Sequence, residues 1–186
     1  MIKDRIRRIA KVLEESADSL SPLIEKAASI VAESIKEGHK VLWCGNGGSA
    51  SQAMHFSAEL TVRYKNNRAP YPSISLTADS VFLTACSNDY SFKDIFSRQV
   101  SAVGEKGDVL IAISTSGKSP NVNEAVKAAK EKNMKIIYLT GENPCEVENL
   151  CDVVIHVPSS DTPIVQECHE VVGHILIEIT EKKMEE

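Results

Sequence analysis

The stretch CGNGGSASQAMHFSAEL, residues 44–60, decides the fold prediction. It follows a short apolar run, KVLWC (40–44), and passes from a glycine-rich turn into a helical pattern over residues 49–64. A strand, a glycine-rich turn and a helix in this order are typical of a parallel α/β sheet. On that helix His55 and Glu59 are four residues apart and therefore share one face. The stretch thus predicts a turn that can hold an anion, close to two side chains that can bind a metal ion or move a proton.

The same alternation of strands and helices continues through the rest of the chain. The further strand candidates are short apolar runs, as expected for parallel strands covered on both faces: SISL (73–76), DVLIAIS (108–114), KIIYLT (135–140) and DVVIHV (152–157). Further helices are predicted over residues 79–86, 91–103, 119–132 and 162–184. This order indicates a three-layer αβα sandwich with a central five-stranded parallel sheet, flavodoxin-like in its arrangement.

Both ends of the chain are predicted to be helical. Residues 3–37 are expected to form two helices divided at Ser21–Pro22, with Gly38 as the C-cap. In the last helix Thr162 is predicted to be the N-cap and Pro163 to lie in the first turn. The apolar positions of that helix are expected to form one buried face: Val165, Val172, Ile175, Leu176 and Ile179. Because residues 1–37 and the last helix carry more apolar surface than one small sheet covers, an oligomer is expected.

Composition narrows the class of protein. The chain has 186 residues, of which 42% are hydrophobic and 25% are charged, which fits one globular domain over residues 1–186. Its net charge of −5 argues against nucleic-acid binding. Five cysteines without a CxxC pair favour reduced thiols and a cytoplasmic location. No signal peptide or transmembrane run is recognised, so no membrane association is expected.

Two loops could hold a phosphate group, GNGGSAS (45–51) and STSGKSP (114–120). The first fits the G-x-G-x-x-A dinucleotide fingerprint, but VRYKNNR stands where an acidic residue should follow. The second ends like a P-loop, but the first glycine of that motif would fall on Ala112. Two such loops, one of them rich in hydroxyl groups, favour a phosphorylated small molecule. The alternative is that both are simply tight strand-to-helix turns.

The last helix carries polar residues in QECHEVVGH, residues 166–174. Gln166 and His174 are separated by about 12 Å of helix rise and about 80° of rotation. One straight helix does not easily bring both to one point, so long inward-reaching side chains or an intersubunit site would be needed. His169 is expected to be partly exposed and Cys168 to be a small core residue. The His55 and Glu59 pair, taken alone, could also be an exposed pair of side chains.

Four motifs in order, CGNGGSASQAMHFSAEL, SNDYSFKDIFSRQV, AISTSGKSPNV and QECHEVVGH, resemble the sugar isomerase (SIS) domain superfamily and, within it, the phosphoheptose isomerase family. The resemblance implies conversion of sedoheptulose 7-phosphate to D-glycero-D-manno-heptose 7-phosphate, the first step toward nucleotide-activated heptoses. It also implies a homotetramer with active sites between subunits. One zinc ion per subunit would be held by His55, Glu59, Gln166 and His174. Substrate contacts would come from these residues: Asn46, Gly47, Gly48, Ser49, Glu59, Asn88, Asp89, Ser114, Thr115, Ser116, Ser119 and Gln166.

An aldose–ketose isomerase moves a proton between C1 and C2 through an enediol, and this requires a base and an acid. The hypothesis assigns Glu59 as the base and His174 as the acid/base for the substrate oxygens. Three other functions remain open on this reading, and one of them is an etherase or deaminase of amino sugar phosphates within the superfamily. Some SIS proteins with the same motifs bind the replication initiator DnaA without catalysis, and others are regulatory modules that bind a sugar phosphate.

Overall fold

Five parallel strands form the centre of the computed structural model, which describes residues 1–186. The strands are β1 (Val41–Gly45), β2 (Ser73–Ser75), β3 (Val109–Ser114), β4 (Lys135–Thr140) and β5 (Val153–His156). Their order in the sheet is β2-β1-β3-β4-β5, and every neighbouring pair is parallel. The predicted five-stranded parallel sheet is therefore confirmed, with strand boundaries within one residue of those predicted.

Six α-helices surround the sheet: α1 (Ile2–Lys36), α2 (Gly48–Thr61), α3 (Ser80–Asp89), α4 (Ser97–Val103), α5 (Pro120–Glu131) and α6 (Thr162–Glu185). Two short 3-10 helices cover Phe92–Asp94 and Glu148–Leu150. The single helix predicted over residues 91–103 is wrong, because the chain forms the first 3-10 turn and then α4. None of the helices is both long enough and apolar enough to cross a bilayer.

The predicted division of the N-terminal segment at Ser21–Pro22 is also wrong, since α1 runs through Pro22 without a break. Pro22 has no N–H, so the usual helical hydrogen bond to the carbonyl four residues before it is missing. The hydroxyl of the preceding residue, Ser21, donates to the carbonyl of Ala17. The buried positions Ser16, Leu20, Ile24, Ala27 and Val31 follow helical spacing across the proline. Packing of this continuous stripe outweighs the local cost of proline.

At the end of α1 the C-cap is Glu37, one residue before the predicted Gly38, which instead supplies the left-handed residue after the cap. Gly38 has φ +87 and its N–H donates to the Ile35 carbonyl, while the N–H of His39 donates to the Ser34 carbonyl. These two bonds form a Schellman motif, which requires a left-handed residue at the glycine position. The motif directs the chain from α1 into β1.

The helices are divided between the two faces of the sheet, and each face has its own hydrophobic core. One core contains Val31 of α1, Phe56 of α2 and Leu176 of α6, and the other contains Val100 of α4 and Val126 of α5. Because α2 follows β1 on one face and α5 follows β3 on the other, a crevice opens where these neighbouring strands end. In open α/β sheets this is the position at which ligands bind.

Helix α6 differs from the prediction at two positions. Asp161 is the N-cap, and Thr162 is the first helical residue. Asp161 is also within 3.4 Å of the Arg5 guanidinium and 3.3 Å of that of Arg8. Ile175, expected to be buried, is 41% exposed, because it faces the groove between α1 and α6 rather than the sheet.

Candidate active site

The glycine turn after β1 lies at the crevice, and its backbone N–H groups are available to a ligand. Gly47 has φ +56, a conformation that favours glycine. A Cβ atom on Gly48 would overlap the side-chain amide of Gln166 on α6 and would push that amide aside. The N–H groups of Gly47 and Gly48 donate to no acceptor of the chain, and they stand at the positive end of α2. The turn is therefore built to receive an anion or an oxygen atom.

The serine-rich loop after β3 lies on the other side of the crevice. The hydroxyls of Ser114 and Ser119 are 2.9 Å apart, and Gly117 turns the loop with φ +67. The N–H groups of Thr115 and Ser116 donate to no acceptor of the chain. Hydroxyls and free N–H groups at the start of a helix are the donors that phosphate oxygens need.

Asn46 and Asn121 join the two loops. Each side-chain amide donates to the other's oxygen at 2.8 Å, and Asn121 is buried at the start of α5. This reciprocal pair fixes the distance between the glycine turn and the serine loop. Asn46, which was predicted to contact substrate, therefore also has a structural role through its hydrogen bonds to Asn121.

A pocket of about 250 Å³ lies between the two loops. The predicted substrate contacts that line it are Asn46, Gly47, Gly48, Ser49, Ser114, Thr115, Ser119 and Gln166. Thr162 lines it as well and was missed in the sequence, where it was taken for a helix cap. Eight of the predicted contacts therefore surround one cavity.

The second part of the site lies between α2 and α6. The Nε2 atoms of His55 and His174 are 3.0 Å apart, which satisfies the predicted convergence of the two imidazoles. Glu170 Oε1 is 3.3 Å from His55 Nε2 and 3.8 Å from His174 Nε2. Glu59 Oε1 is 3.8 Å from His55 Nε2. Two imidazoles and two carboxylates thus gather at one place, all supplied by a single chain.

Glu170 was missed as a site residue, although the sequence held a signal for it. It lies four residues before His174 and four after Gln166, so all three occupy one face of α6. A second pocket, of about 280 Å³, is lined by Gly48, Gln52, Gln166 and Glu170 among others. Gly48 and Gln166 line both pockets and Glu170 lines the second, so the two adjoining pockets form one groove that ends at Glu170 of the histidine cluster.

A clamp next to the cluster holds the loop that follows α2. The Glu181 carboxylate, 2% exposed, accepts the backbone N–H groups of Tyr64, Lys65 and Asn66 and the Nε–H of Arg68. Burial raises the pKa of Glu181, but these hydrogen bonds lower it by more, so the net pKa is below the usual range. The clamp places the Tyr64 ring in a stack on the His174 imidazole, with centroids 5.4 Å apart.

Three predictions for individual residues have different outcomes. Asn88 and Asp89 are exposed at the end of α3, where the Asn88 amide donates to Asp89, and they line neither pocket, so their contact with substrate stays a prediction. His169 is fully buried instead of partly exposed, because its side chain turns inward and bonds the Thr140 carbonyl. Burial lowers the pKa of His169 to about 4. Cys168 is a buried core residue, as predicted.

The histidine cluster fits a divalent metal ion by the chemistry of its donors. His55, Glu170 and His174 each offer one ligand atom, and these atoms lie within 4.8 Å of one another. Imidazole nitrogen and carboxylate oxygen are the usual ligands of catalytic zinc. Glu59 borders this group on the side of His55, whereas Gln166 lies further along the groove against Gly48.

The fold and the groove define an α/β protein with an anion-type site at the crevice of a parallel sheet, and comparison with known families names its family. The family model described as the SIS domain matches residues 6–141. The chain therefore belongs to the SIS domain family.

Curated relatives and solved structures narrow this further. A phosphoheptose isomerase of Rhodospirillum rubrum is 50% identical over 161 residues, covering 87% of this chain and 86% of that protein. One from Aliarcobacter butzleri is 48% identical over 176 residues, covering 95% and 91% of the two chains. The structure of a phosphoheptose isomerase from Neisseria gonorrhoeae matches with a TM-score of 0.91 at 36% identity, covering 98% of this chain and 100% of that one. Within the SIS domain family, the chain belongs with the phosphoheptose isomerases.

Proposed function

We propose that this protein is a phosphoheptose isomerase, which interconverts sedoheptulose 7-phosphate and D-glycero-D-manno-heptose 7-phosphate. One observation carries the proposal: two adjoining pockets lead from a phosphate-type loop pair to Glu170, which lies 3.3 Å and 3.8 Å from the two imidazoles. The phosphate would bind at Ser114, Thr115 and Ser119, and the reacting carbons would lie at the cluster. Identity of 48–50% to named phosphoheptose isomerases supports the same reaction.

The distance along α2 from the glycine turn to the histidine cluster suits a seven-carbon sugar phosphate. Eight bonds separate C1 from phosphorus in such a sugar, which spans about 10 Å when extended, at about 1.2 Å for each bond. Gly48 beside the loops and His55 in the cluster are seven residues apart on α2, which corresponds to about 10.5 Å of helix rise. A phosphate bound at the loops therefore places C1 and C2 near the cluster.

The chain's own residues supply the proton transfers. Glu59 removes the proton from one carbon and returns it to the next, and His174 exchanges protons with the substrate oxygens. The stack of Tyr64 on His174 holds the imidazole plane in one orientation. The phosphate contacts contribute binding energy remote from the reaction and keep the reacting carbons in position.

A zinc ion, one per subunit, is part of the proposal. Its ligands would come from His55, Glu59, Gln166 and His174, the set that the family resemblance implies. When bound, zinc acts as a Lewis acid that polarises the substrate oxygens. The two imidazoles, already 3.0 Å apart, and the adjacent Glu59 support this assignment.

A homotetramer in the cytoplasm completes the proposal. The groove between α1 and α6 is lined mainly by apolar side chains, among them Leu13, Leu20, Val171 and Ile175, and it is suited to packing against another subunit. Replacing Ile175 with Asp should shift the protein from tetramer to smaller species in analytical ultracentrifugation. All five cysteines are unpaired, which favours a reducing compartment.

The test is incubation of the purified protein with sedoheptulose 7-phosphate, followed by NMR of the product. The proposal expects the aldose 7-phosphate to accumulate to equilibrium, and the Glu59→Gln variant to keep its fold and assembly but lose turnover by orders of magnitude. Glu131→Gln, an exposed carboxylate change on α5 that lines neither pocket, is the control and should react normally. Absence of any product with the wild-type protein would reject the isomerase assignment.

A further inference from the structure

We propose that Glu170 is a ligand of the metal ion at this site, together with His55 and His174, and that Gln52 holds it in place. The inference rests on the metal-binding part of the proposed function. It adds a residue that the family resemblance does not assign, since the implied ligand set is His55, Glu59, Gln166 and His174.

The distances among the three donor atoms match the dimensions of a zinc site. Zinc binds nitrogen and oxygen ligands at about 2.0–2.2 Å, so two ligands of a tetrahedral ion lie about 3.4 Å apart. The three donors, His55 Nε2, His174 Nε2 and Glu170 Oε1, are separated by 3.0, 3.3 and 3.8 Å. All three atoms can therefore touch one ion with only small rotations of their side chains.

The other oxygen of Glu170 is held by Gln52. Gln52 Nε2 donates to Glu170 Oε2 at 3.0 Å and to the backbone carbonyl of Gln166 at 2.7 Å. Both partners only accept hydrogen bonds, so the amide nitrogen must face them. This orientation leaves the buried Gln52 Oε1 without a donor from the chain, which is unfavourable for a buried polar atom. Gln52 therefore leaves its own oxygen unpaired while its nitrogen orients the Glu170 carboxylate. Residues that hydrogen-bond a metal ligand orient that ligand in the same way.

An ion pair without metal explains the arrangement less well. If both imidazoles carried protons on Nε2, two donors would face each other at 3.0 Å. One neutral imidazole can accept the Nε2–H of the other at this distance, but that single proton leaves the nearby Glu170 Oε1 without a partner. A cation between the three atoms satisfies both lone pairs and the negative charge at once.

The decisive experiment is a zinc titration of the metal-free full-length protein in competition with a chromophoric chelator. Glu170→Leu keeps the side-chain size but removes the carboxylate that would bind the metal. Gln52→Leu keeps that carboxylate and removes only the amide that hydrogen-bonds it. Glu167→Leu, on the same helix and lining the same pocket, is the matched control. Loss of a residue behind a metal ligand lowers affinity by about 10- to 100-fold, which is expected for Gln52→Leu. Glu170→Leu should lose more than that, and Glu167→Leu should bind zinc as the wild type does.

Cobalt(II) replaces zinc as a spectroscopic probe in the same variants. Glu170→Leu should change the visible absorption of the bound cobalt, whereas Glu167→Leu should leave it unchanged. Wild-type affinity and an unaltered spectrum in Glu170→Leu would overturn the inference, and so would a wild-type protein that binds no zinc.

Turnover of sedoheptulose 7-phosphate separates this inference from the proposed function. A wild-type protein that isomerises the sugar while Glu170→Leu binds zinc normally would overturn only the role of Glu170. A Glu170-dependent zinc site in a protein without isomerase activity would support the ligand and reject the function.

Discussion

Replacing Glu181 with Gln should destabilise the protein and disturb the active site from a distance. The Glu181 carboxylate bonds the backbone N–H groups of residues 64–66 and lies 2.7 Å from Arg68 Nε. Arg68 in turn donates to the Glu59 and Leu60 carbonyls at 2.9 Å. The clamp therefore joins the end of α2, the loop after it and α6. Glutamine would turn an NH₂ group toward N–H donors and leave the buried guanidinium without its counter-charge.

The size of the effect follows from burial. The side chains of Glu181 and Arg68 are 2% and 10% exposed, and removing one partner of a buried pair costs about 3–5 kcal/mol. For a chain of this length each kcal/mol lowers Tm by about 2–4 °C, so Glu181→Gln should lower Tm by about 6–20 °C. Glu178→Gln is the matched control on α6. Its ion pairs with Lys65 and Lys182 are exposed and screened by solvent, so their loss should change Tm little.

Thermal and urea unfolding should be followed by the fluorescence of Trp43, the single and fully buried tryptophan, at one protein concentration. Turnover at 25 °C should also fall in Glu181→Gln, because Tyr64 loses its fixed stack on His174. Equal and small Tm shifts for Glu181→Gln and Glu178→Gln would refute the clamp.

The effect of Glu181→Gln should also depend on pH. The pKa of Glu181 is lowered in the folded protein, so its stabilising contribution is complete above the unfolded value of about 4.3. The contribution is lost as the pH falls through the folded pKa. The stability difference between wild type and Glu181→Gln should therefore be largest near neutral pH and shrink in strong acid.

Three further predictions concern the groove and the core. Gly48→Ala should lower kcat/KM for sedoheptulose 7-phosphate by about 10- to 100-fold, because its Cβ displaces Gln166 at a cost of about 1–3 kcal/mol; unchanged kinetics would contradict this packing. Since the pKa of buried His169 is lowered from 6.5 to about 4, its contribution to stability should fall as the pH drops across that range, and His169→Leu should lack this component in urea titrations. Chelation should abolish turnover and added zinc should restore it, whereas a fully active metal-free protein would exclude a catalytic role for zinc.

The sheet and both loops were predictable because their signals are local. Each strand is a short apolar run, and each loop contains the glycines or serines that its turn requires, as at Gly47 and Gly117. The spacing of His55 and Glu59 likewise follows from one helix. For the strands and these two loops, tertiary contacts were needed only to decide which loops share a pocket.

The errors arose where packing overrides a local signal. Pro22 is a common helix breaker, but the stripe of buried residues on both sides keeps α1 continuous. His169 is polar, yet its helix places it against the end of β4, where the Thr140 carbonyl provides a partner. Asp161 replaces Thr162 as the N-cap at the point where Arg5 and Arg8 reach it from α1.

The sequence pattern of α6 does not decide which of its polar residues belong to the metal-ligand set, and Glu170 is the example. QECHEVVGH contains several possible ligands, and helical spacing alone places Gln166, Glu170 and His174 on one face. Only the packing of α2 against α6 shows that Glu170 meets His55 and that Gln52 holds it. The ligand set therefore depends on a contact between two helices that are distant in sequence.

A crystal structure of the zinc-loaded Glu59→Gln variant with sedoheptulose 7-phosphate would test the central claim most directly. The account predicts that the phosphate bonds the loop over residues 114–119 and that C1 and C2 lie beside residue 59 and His174, in one groove. A sugar phosphate bound elsewhere on the protein, with the loop pocket and the histidine cluster both free of it, would contradict the account.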